Sequence, residues 1–166
     1  MMRRRGREMA VQMLYSLELG PFSDNPCKGD GCLPCNECDE QAMKSCYNGY
    51  LELNPSLSED EPSFEFAKAL IEGVLRHIQS LDAIIQRHSK NWRIDRMSLV
   101  DRNILRIGVF ELYYCPDIPE KVAINEAIEL AKKFSTDDAV SFINGVLDAV
   151  LKEIHISSSK INIAID

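Results

Sequence analysis

The stretch KVAINEAIELAKKFSTDDAVSFINGVLD (residues 121–148) decides the fold class of this chain. Its apolar residues recur at steps of three and four on both sides of the polar joint STDD, which predicts two amphipathic helices. The joint fits a capping box from Ser135 to Asp138 that opens the second helix. That helix is expected to end near residue 154, with a frayed tail over residues 155–166. The two predicted stripes consist of Ile124, Ala127, Ile128 and Ala131, and of Val140, Ile143, Val146, Leu147 and Val150.

Helical periodicity also covers most of the chain before this stretch. It predicts a first helix over residues 4–19, a short one near 39–53, and a long one from Ser63, its expected N-cap, with a kink near residues 80–82. Ser98 to Asp101 fits a second capping box, opening a helix to about residue 113 that is apolar nearly all round and therefore central. Strand signals are absent except weakly in the tail, so the predicted fold class is all-α.

Composition excludes several classes of protein. With 166 residues, 45% hydrophobic and 27% charged, the chain can bury the core of one domain or of two small sub-bundles. Apolar runs fall short of the roughly 18 residues that a membrane span requires, and the basic start lacks a signal-peptide core, so we expect a cytoplasmic protein without a membrane partner. Phosphate-binding loops, nucleophile elbows and HExxH motifs are missing, which argues against an enzyme.

Basic residues are concentrated at the start of a chain whose formal net charge is -7. Arg3, Arg4, Arg5 and Arg7 lie within the first seven positions, and helical spacing places Arg4, Arg7, Val11 and Tyr15 on one exposed stripe. A guanidinium binds two phosphate oxygens and stays charged, and a tyrosine stacks on an unpaired base. The pattern favours single-stranded RNA, although a solvated basic N-terminus is the alternative.

The last two helices carry residues whose roles the spacing leaves open. Phe142 would either stack on a base or pack in the core. Asn125 and Asn144 would either contact base edges or cap neighbouring backbone.

Five of the six cysteines lie within residues 20–62, where Cys27, Cys32, Cys35 and Cys38 follow a spacing typical of metal ligands. Three alternatives stay open for these four residues: a structural zinc ion, an iron–sulfur cluster, or no metal. Cys46 lies on the apolar stripe of the second helix and is predicted to be core. Apart from a structural zinc ion or an iron–sulfur cluster at these cysteines, we expect the protein to require no cofactor.

Three segments resemble the NusB family of bacterial transcription antitermination factors: RRRGREMAVQMLYSLE (residues 3–18), DRNILRIGVFEL (101–112) and PEKVAINEAIELAKKFSTDDAVSFINGVLD (119–148). The resemblance covers residues 3–19 and about 64–154. It implies about seven helices in two perpendicular sub-bundles, over about residues 3–90 and 91–154. It also implies a non-enzymatic protein that binds the single-stranded boxA element of ribosomal RNA leader transcripts, together with the ribosomal protein NusE, in an antitermination complex on RNA polymerase.

The resemblance also assigns roles to residues. It implies RNA contacts from Arg3, Arg4, Arg5, Arg7, Tyr15, Asp138 and Phe142, and contacts with NusE from Asp95 and Asp101. The cysteine-rich loop at residues 20–38 departs from the family pattern. Two alternative functions follow: an RNA-recognition domain like that of some ribosomal RNA cytosine methyltransferases, or a metal- or redox-responsive RNA-binding regulator that uses the cysteines.

Overall fold

A computed structural model describes residues 2–19, 36–59, 61–90 and 92–163, with residues 36–42 and 158–163 described by their backbone alone. Within these ranges the chain forms seven α-helices, one short 3-10 helix and no strand, which confirms the all-α prediction. The helices are α1 (Met2–Leu19), α2 (Asn36–Leu53), α3 (Pro62–Arg76), α4 (Ile78–His88), α5 (Leu99–Tyr114), α6 (Glu120–Phe134) and α7 (Asp137–Ile163), and the 3-10 helix is Ile94–Arg96. None of the described helices combines the length and apolarity needed to cross a membrane.

The chain divides into two compact units, Met1–Ile71 and Glu72–Asp166. In the first unit α1 packs against α2, with Met9, Ala10, Met13 and Leu14 buried on α1. The ring of Tyr47 on α2 meets that of Phe64 on α3 edge-on, with centroids 6.0 Å apart. These contacts join all three helices of the unit around one apolar core.

The second unit is built around α5, where every residue from 103 to 111 is buried. This confirms that the helix predicted to be apolar all round is central, and α4, α6 and α7 all pack against it. The buried guanidinium of Arg106 donates to both carboxylate oxygens of Asp82 on α4, at 2.7 Å each. A bidentate pair in this setting fixes how α4 lies against α5.

Of the three helix caps predicted from the sequence, one is confirmed and two differ from the structure. Ser98 does cap α5, since its hydroxyl accepts from the backbone N–H of Asp101 at 3.1 Å. Ser63 was expected to cap α3, but that helix begins one residue earlier at Pro62, a residue suited to the first helical position. At α7 the hydroxyl of Thr136 accepts from Ala139 N–H at 3.3 Å. Ser135, predicted for that role, instead donates its hydroxyl proton to Asp101.

The prediction of one long helix with a kink near residues 80–82 was wrong, because the break lies at His77. His77 leaves the helical conformation (φ −111°, ψ 12°), and its carbonyl becomes the first acceptor of α4. The Ser80 hydroxyl also donates to that carbonyl, at 2.8 Å. Ser80 therefore lies in the first turn of a new helix.

The last helix is longer than expected. It was predicted to end near residue 154, but α7 continues to Ile163. His155, in the added part, lies with Nε2 2.9 Å from the carboxylate of Glu120 on α6. This contact ties the helix to its neighbour beyond the predicted end.

Candidate nucleic-acid interface

The arginines at the start of α1 do not share one environment. Arg3, Arg4 and Arg5 are exposed, whereas Arg7 is 2% exposed with its guanidinium 5.4 Å from the centre of the Phe66 ring. Gly6 explains the difference, because a Cβ there would lie 2.7 Å from both the Ser63 carbonyl and the Phe66 ring. Only glycine allows α1 to approach α3 so closely.

The expected exposed stripe of Arg4, Arg7, Val11 and Tyr15 is therefore wrong at its two middle positions. Arg7 and Val11 are both 2% exposed. Tyr15 is 38% exposed and remains available for stacking.

A cavity of about 530 Å³ lies beside the exposed arginines. In it the Arg5 guanidinium donates to the Glu61 carboxylate at 2.8 Å, and the Ser63 hydroxyl donates to the same oxygen at 2.6 Å. A guanidinium and a hydroxyl converging on one anionic oxygen are also what a phosphate oxygen would meet. The residues that line the cavity are Met2, Arg4, Arg5, Glu8, Glu61 and Ser63.

The start of α7 brings together a carboxylate and two aromatic rings. Asp138 is exposed in the first turn, and Phe142, one turn later, is half-buried. The centre of the Phe142 ring lies 5.9 Å from that of Trp92, which is 55% exposed. Phe142 is thus neither fully core nor fully free. The sequence patterns assign Trp92 no role, and its being the only tryptophan was the available signal.

The two residues assigned to the protein partner are held differently. Asp95 is exposed, and Arg93 donates to its two carboxylate oxygens at 3.0 and 2.8 Å. This hydrogen-bonded guanidinium lowers the pKa of Asp95. Asp101 is half-buried and accepts from the Ser135 hydroxyl, so its carboxylate joins the start of α5 to the end of α6.

The two asparagines of residues 121–148 also differ. Asn125 is exposed on α6. Asn144 is half-buried, and its amide lies 3.4 Å from the Asp148 carboxylate, a long contact within α7.

The four cysteines predicted as metal ligands belong to the segment between α1 and α2 and to the start of α2. Cys27, Cys32 and Cys35 lie outside the described residues, as does the side chain of Cys38, whose backbone belongs to α2. Elsewhere in the described part of the chain, no three His, Cys, Asp or Glu side chains are grouped so as to hold a metal ion. Cys46 is a half-buried thiol whose Sγ donates to the Met13 carbonyl at 3.6 Å, and burial raises the pKa of this thiol.

Comparisons with known proteins point to one family. A sequence profile of the NusB family matches residues 4–152. A protein of Myxococcus xanthus named transcription antitermination protein NusB is 44% identical over 148 residues, covering 89% of this chain and 93% of that protein. One of the same name from Geotalea daltonii is 46% identical over 149 residues, covering 89% and 92%.

Solved structures agree. A chain in a crystal structure of the antitermination factors NusB and NusE in complex with dsRNA has a TM-score of 0.67 and 28% sequence identity. That likeness covers 92% of this chain and 97% of the other.

Proposed function

The chain belongs to the NusB family, and we propose from this premise that it is a non-enzymatic transcription antitermination factor that binds RNA. Relatives 44% and 46% identical to it carry antitermination in their names. The structural relative that is 28% identical is described in complex with NusE and RNA. The same support does not extend to the alternative of a methyltransferase recognition domain.

The RNA is proposed to be the boxA element of a ribosomal RNA leader, and the protein partner NusE, within a complex on RNA polymerase. Such a role would place the protein in the cytoplasm. The described relative was crystallised with double-stranded RNA, whereas boxA is expected to be single-stranded. Both forms therefore belong in any binding experiment.

The observation that carries the RNA proposal is the exposure of Arg3, Arg4 and Arg5 on α1, where Arg4 and Arg5 line the cavity. Arg3 and Arg4 give the start of α1 a local cationic patch on a chain of net charge -7, whereas Glu61 offsets the charge of Arg5. Such a patch binds phosphates regardless of the total charge. Tyr15, on the same helix, would add stacking on a base.

The second unit would contribute contacts of a different kind. The exposed carboxylate of Asp138 repels phosphate, so it would accept hydrogen bonds from a base amino group or a ribose 2′-hydroxyl. Phe142 would supply an aromatic face. We therefore assign phosphate contacts to α1 and base or sugar contacts to α7.

Of the two residues proposed to meet NusE, Asp95 is the better candidate. It is exposed, and a cationic group of the partner could replace its equally exposed ion-pair partner Arg93. Asp101 is occupied by Ser135, so we expect it to act by positioning the joint between α6 and α7.

Binding of a labelled boxA RNA and of a scrambled RNA of equal length, each with and without NusE, tests the proposal. We expect tighter binding to boxA and a further gain with NusE. Arg4→Ala should weaken binding and reduce the salt slope by about 0.7. Lys132→Ala, which removes one exposed positive charge from α6, is the matched control and should leave binding unchanged. Equal affinity for the two RNAs would contradict the sequence-specific proposal.

The spacing of Cys27, Cys32, Cys35 and Cys38 still supports a zinc site, which would fasten the segment between α1 and α2. Metal analysis of the anaerobically purified protein tests this prediction. One zinc per chain, lost in a Cys32→Ser/Cys35→Ser variant, would support it. A visible chromophore would indicate an iron–sulfur cluster. A metal-free protein would contradict both the zinc site and the iron–sulfur cluster, and with them the alternative function as a metal- or redox-responsive regulator.

A further inference from the structure

Trp92 exposes a large aromatic ring on the joint between α4 and the 3-10 helix. Its exposed fraction is 55%, whereas apolar side chains of this size usually bury most of their surface. An exposed ring is informative when something nearby keeps it in place. Two further observations describe what surrounds the ring at this joint.

The first observation is that side chains hold the backbone of the joint. The Trp92 carbonyl accepts from the Ser89 hydroxyl at 3.0 Å and from the Gln86 amide at 3.2 Å. The oxygen of the same Gln86 amide accepts from Ile94 N–H at 2.9 Å, and Ser89 is only 2% exposed. The ring therefore projects from an ordered backbone, which lowers the entropic cost of binding a ligand there.

The second observation concerns the side chains near the Trp92 ring. Phe142 lies beside it, with a 5.9 Å centroid separation and planes inclined by 46°. Arg93 and Arg96, on the same joint, are exposed. Asp95 offsets Arg93 through their ion pair at 2.8 Å, which leaves one positive charge in excess among these three residues. Aromatic rings beside a cation suit an unpaired nucleobase and its phosphate.

We propose that Trp92 is an RNA-contact residue on whose ring an unpaired nucleobase stacks, next to Phe142. The inference rests on the proposed RNA-binding function and adds a residue to it, together with a requirement that at least one bound nucleotide be unpaired. A stacked base is worth about 1–3 kcal/mol by alanine substitution, which corresponds to about 5- to 150-fold in affinity. Trp92→Ala should weaken binding of single-stranded boxA RNA within that range.

The experiment uses the full chain and exploits its single tryptophan. Titration with single-stranded boxA RNA should quench the tryptophan emission, and the quenching should saturate at the affinity measured with labelled RNA. Trp92→Phe should retain most of the affinity, whereas Trp92→Leu, apolar but without a π-face, should not. Ile156→Ala is the control, since Ile156 is 57% exposed in the same unit. Circular dichroism should show all variants folded.

RNAs with one abasic nucleotide identify the stacked base. Removing that base should weaken binding to the wild-type protein and have no further effect on Trp92→Leu. Annealing the RNA to its complement should abolish the difference between wild type and Trp92→Leu, since the bases are then paired.

Equal binding of single-stranded boxA RNA by wild type and Trp92→Leu would overturn the inference and leave the proposed function standing. Loss of NusE binding with RNA binding intact would also overturn it and assign Trp92 to a protein surface. If the wild-type protein binds boxA and scrambled RNA equally weakly, with or without NusE, both proposals fail.

Discussion

At the scale of single residues, the arginines of α1 have distinct roles. Arg4 is exposed beside the cavity, whereas Arg7 is buried against Phe66. Removing the Arg7 side chain would remove its buried packing and its contact with an aromatic ring, and both losses lower the stability of the fold. Arg7→Ala should therefore lower the free energy of unfolding by about 1–3 kcal/mol, measured by urea titration. Arg4→Ala should change it by less than about 0.5 kcal/mol. Unchanged stability of Arg7→Ala together with weaker RNA binding would instead make Arg7 a direct contact.

We expect Glu61 to compete with RNA phosphate for Arg5, because its carboxylate lies 2.8 Å from the Arg5 guanidinium. Glu61→Gln removes the charge and keeps a hydrogen-bond acceptor for Ser63. We expect tighter RNA binding and a salt slope steeper by about 0.7, the contribution of one released counterion contact on a single strand. Glu59→Gln is the matched control, since Glu59 lies on the same connector but pairs with Lys68 at 3.7 Å. Equal effects of the two substitutions would point to general electrostatics and contradict the competition.

At the scale of elements, close packing of helices determines at which glycines an added side chain lowers stability. A Cβ on Gly73 of α3 would lie 2.1 Å from the Phe110 ring of α5, whereas one on Gly145 of α7 would meet open space. Gly73→Ala should destabilise the protein by about 1–3 kcal/mol through overpacking. Gly145→Ala should stabilise it by about 0.5–1 kcal/mol, since alanine loses less entropy in a helix. Thermal unfolding distinguishes the two signs, and a stable Gly73→Ala would show that Phe110 can move aside.

The same scale shows how far the sequence predicts this molecule. Helix existence and the Ser98 cap depend on residues within one turn of each other, so periodicity and spacing were sufficient. The break at His77 and the burial of Arg7 involve distant residues: the His77 ring lies 4.2 Å from that of Tyr114, and Arg7 meets Phe66. Trp92 was overlooked for a related reason. A ring in an irregular joint has no periodicity, and only the Phe142 contact and the held backbone reveal its setting.

At the scale of the whole molecule, RNA binding depends on how charge is distributed. The chain has 26 acidic and 19 basic residues, yet three exposed arginines adjoin one another at the start of α1. Because Glu61 holds Arg5, we expect the phosphate contacts to come from Arg3 and Arg4. The logarithm of the association constant should then fall against the logarithm of salt concentration with a slope of about −1.4. Replacing Arg3, Arg4 and Arg5 together by alanine should remove most of that slope, measured by fluorescence anisotropy. A slope that persists in this variant would locate the phosphate contacts elsewhere.

The burial of residues 103–111 on α5 also bears on how quickly the chain folds. A helix whose partners are α4, α6 and α7 gains little stability until they pack against it, and α4 and α6 are its neighbours along the chain. We expect these contacts to form at the folding barrier. Ile107→Val should then slow refolding more than it accelerates unfolding, as followed by stopped-flow circular dichroism over a range of urea concentrations. A change confined to the unfolding rate would show that α5 packs late. If refolding slows as expected, the folding time of the second unit depends most on α5, the helix with the least access to solvent.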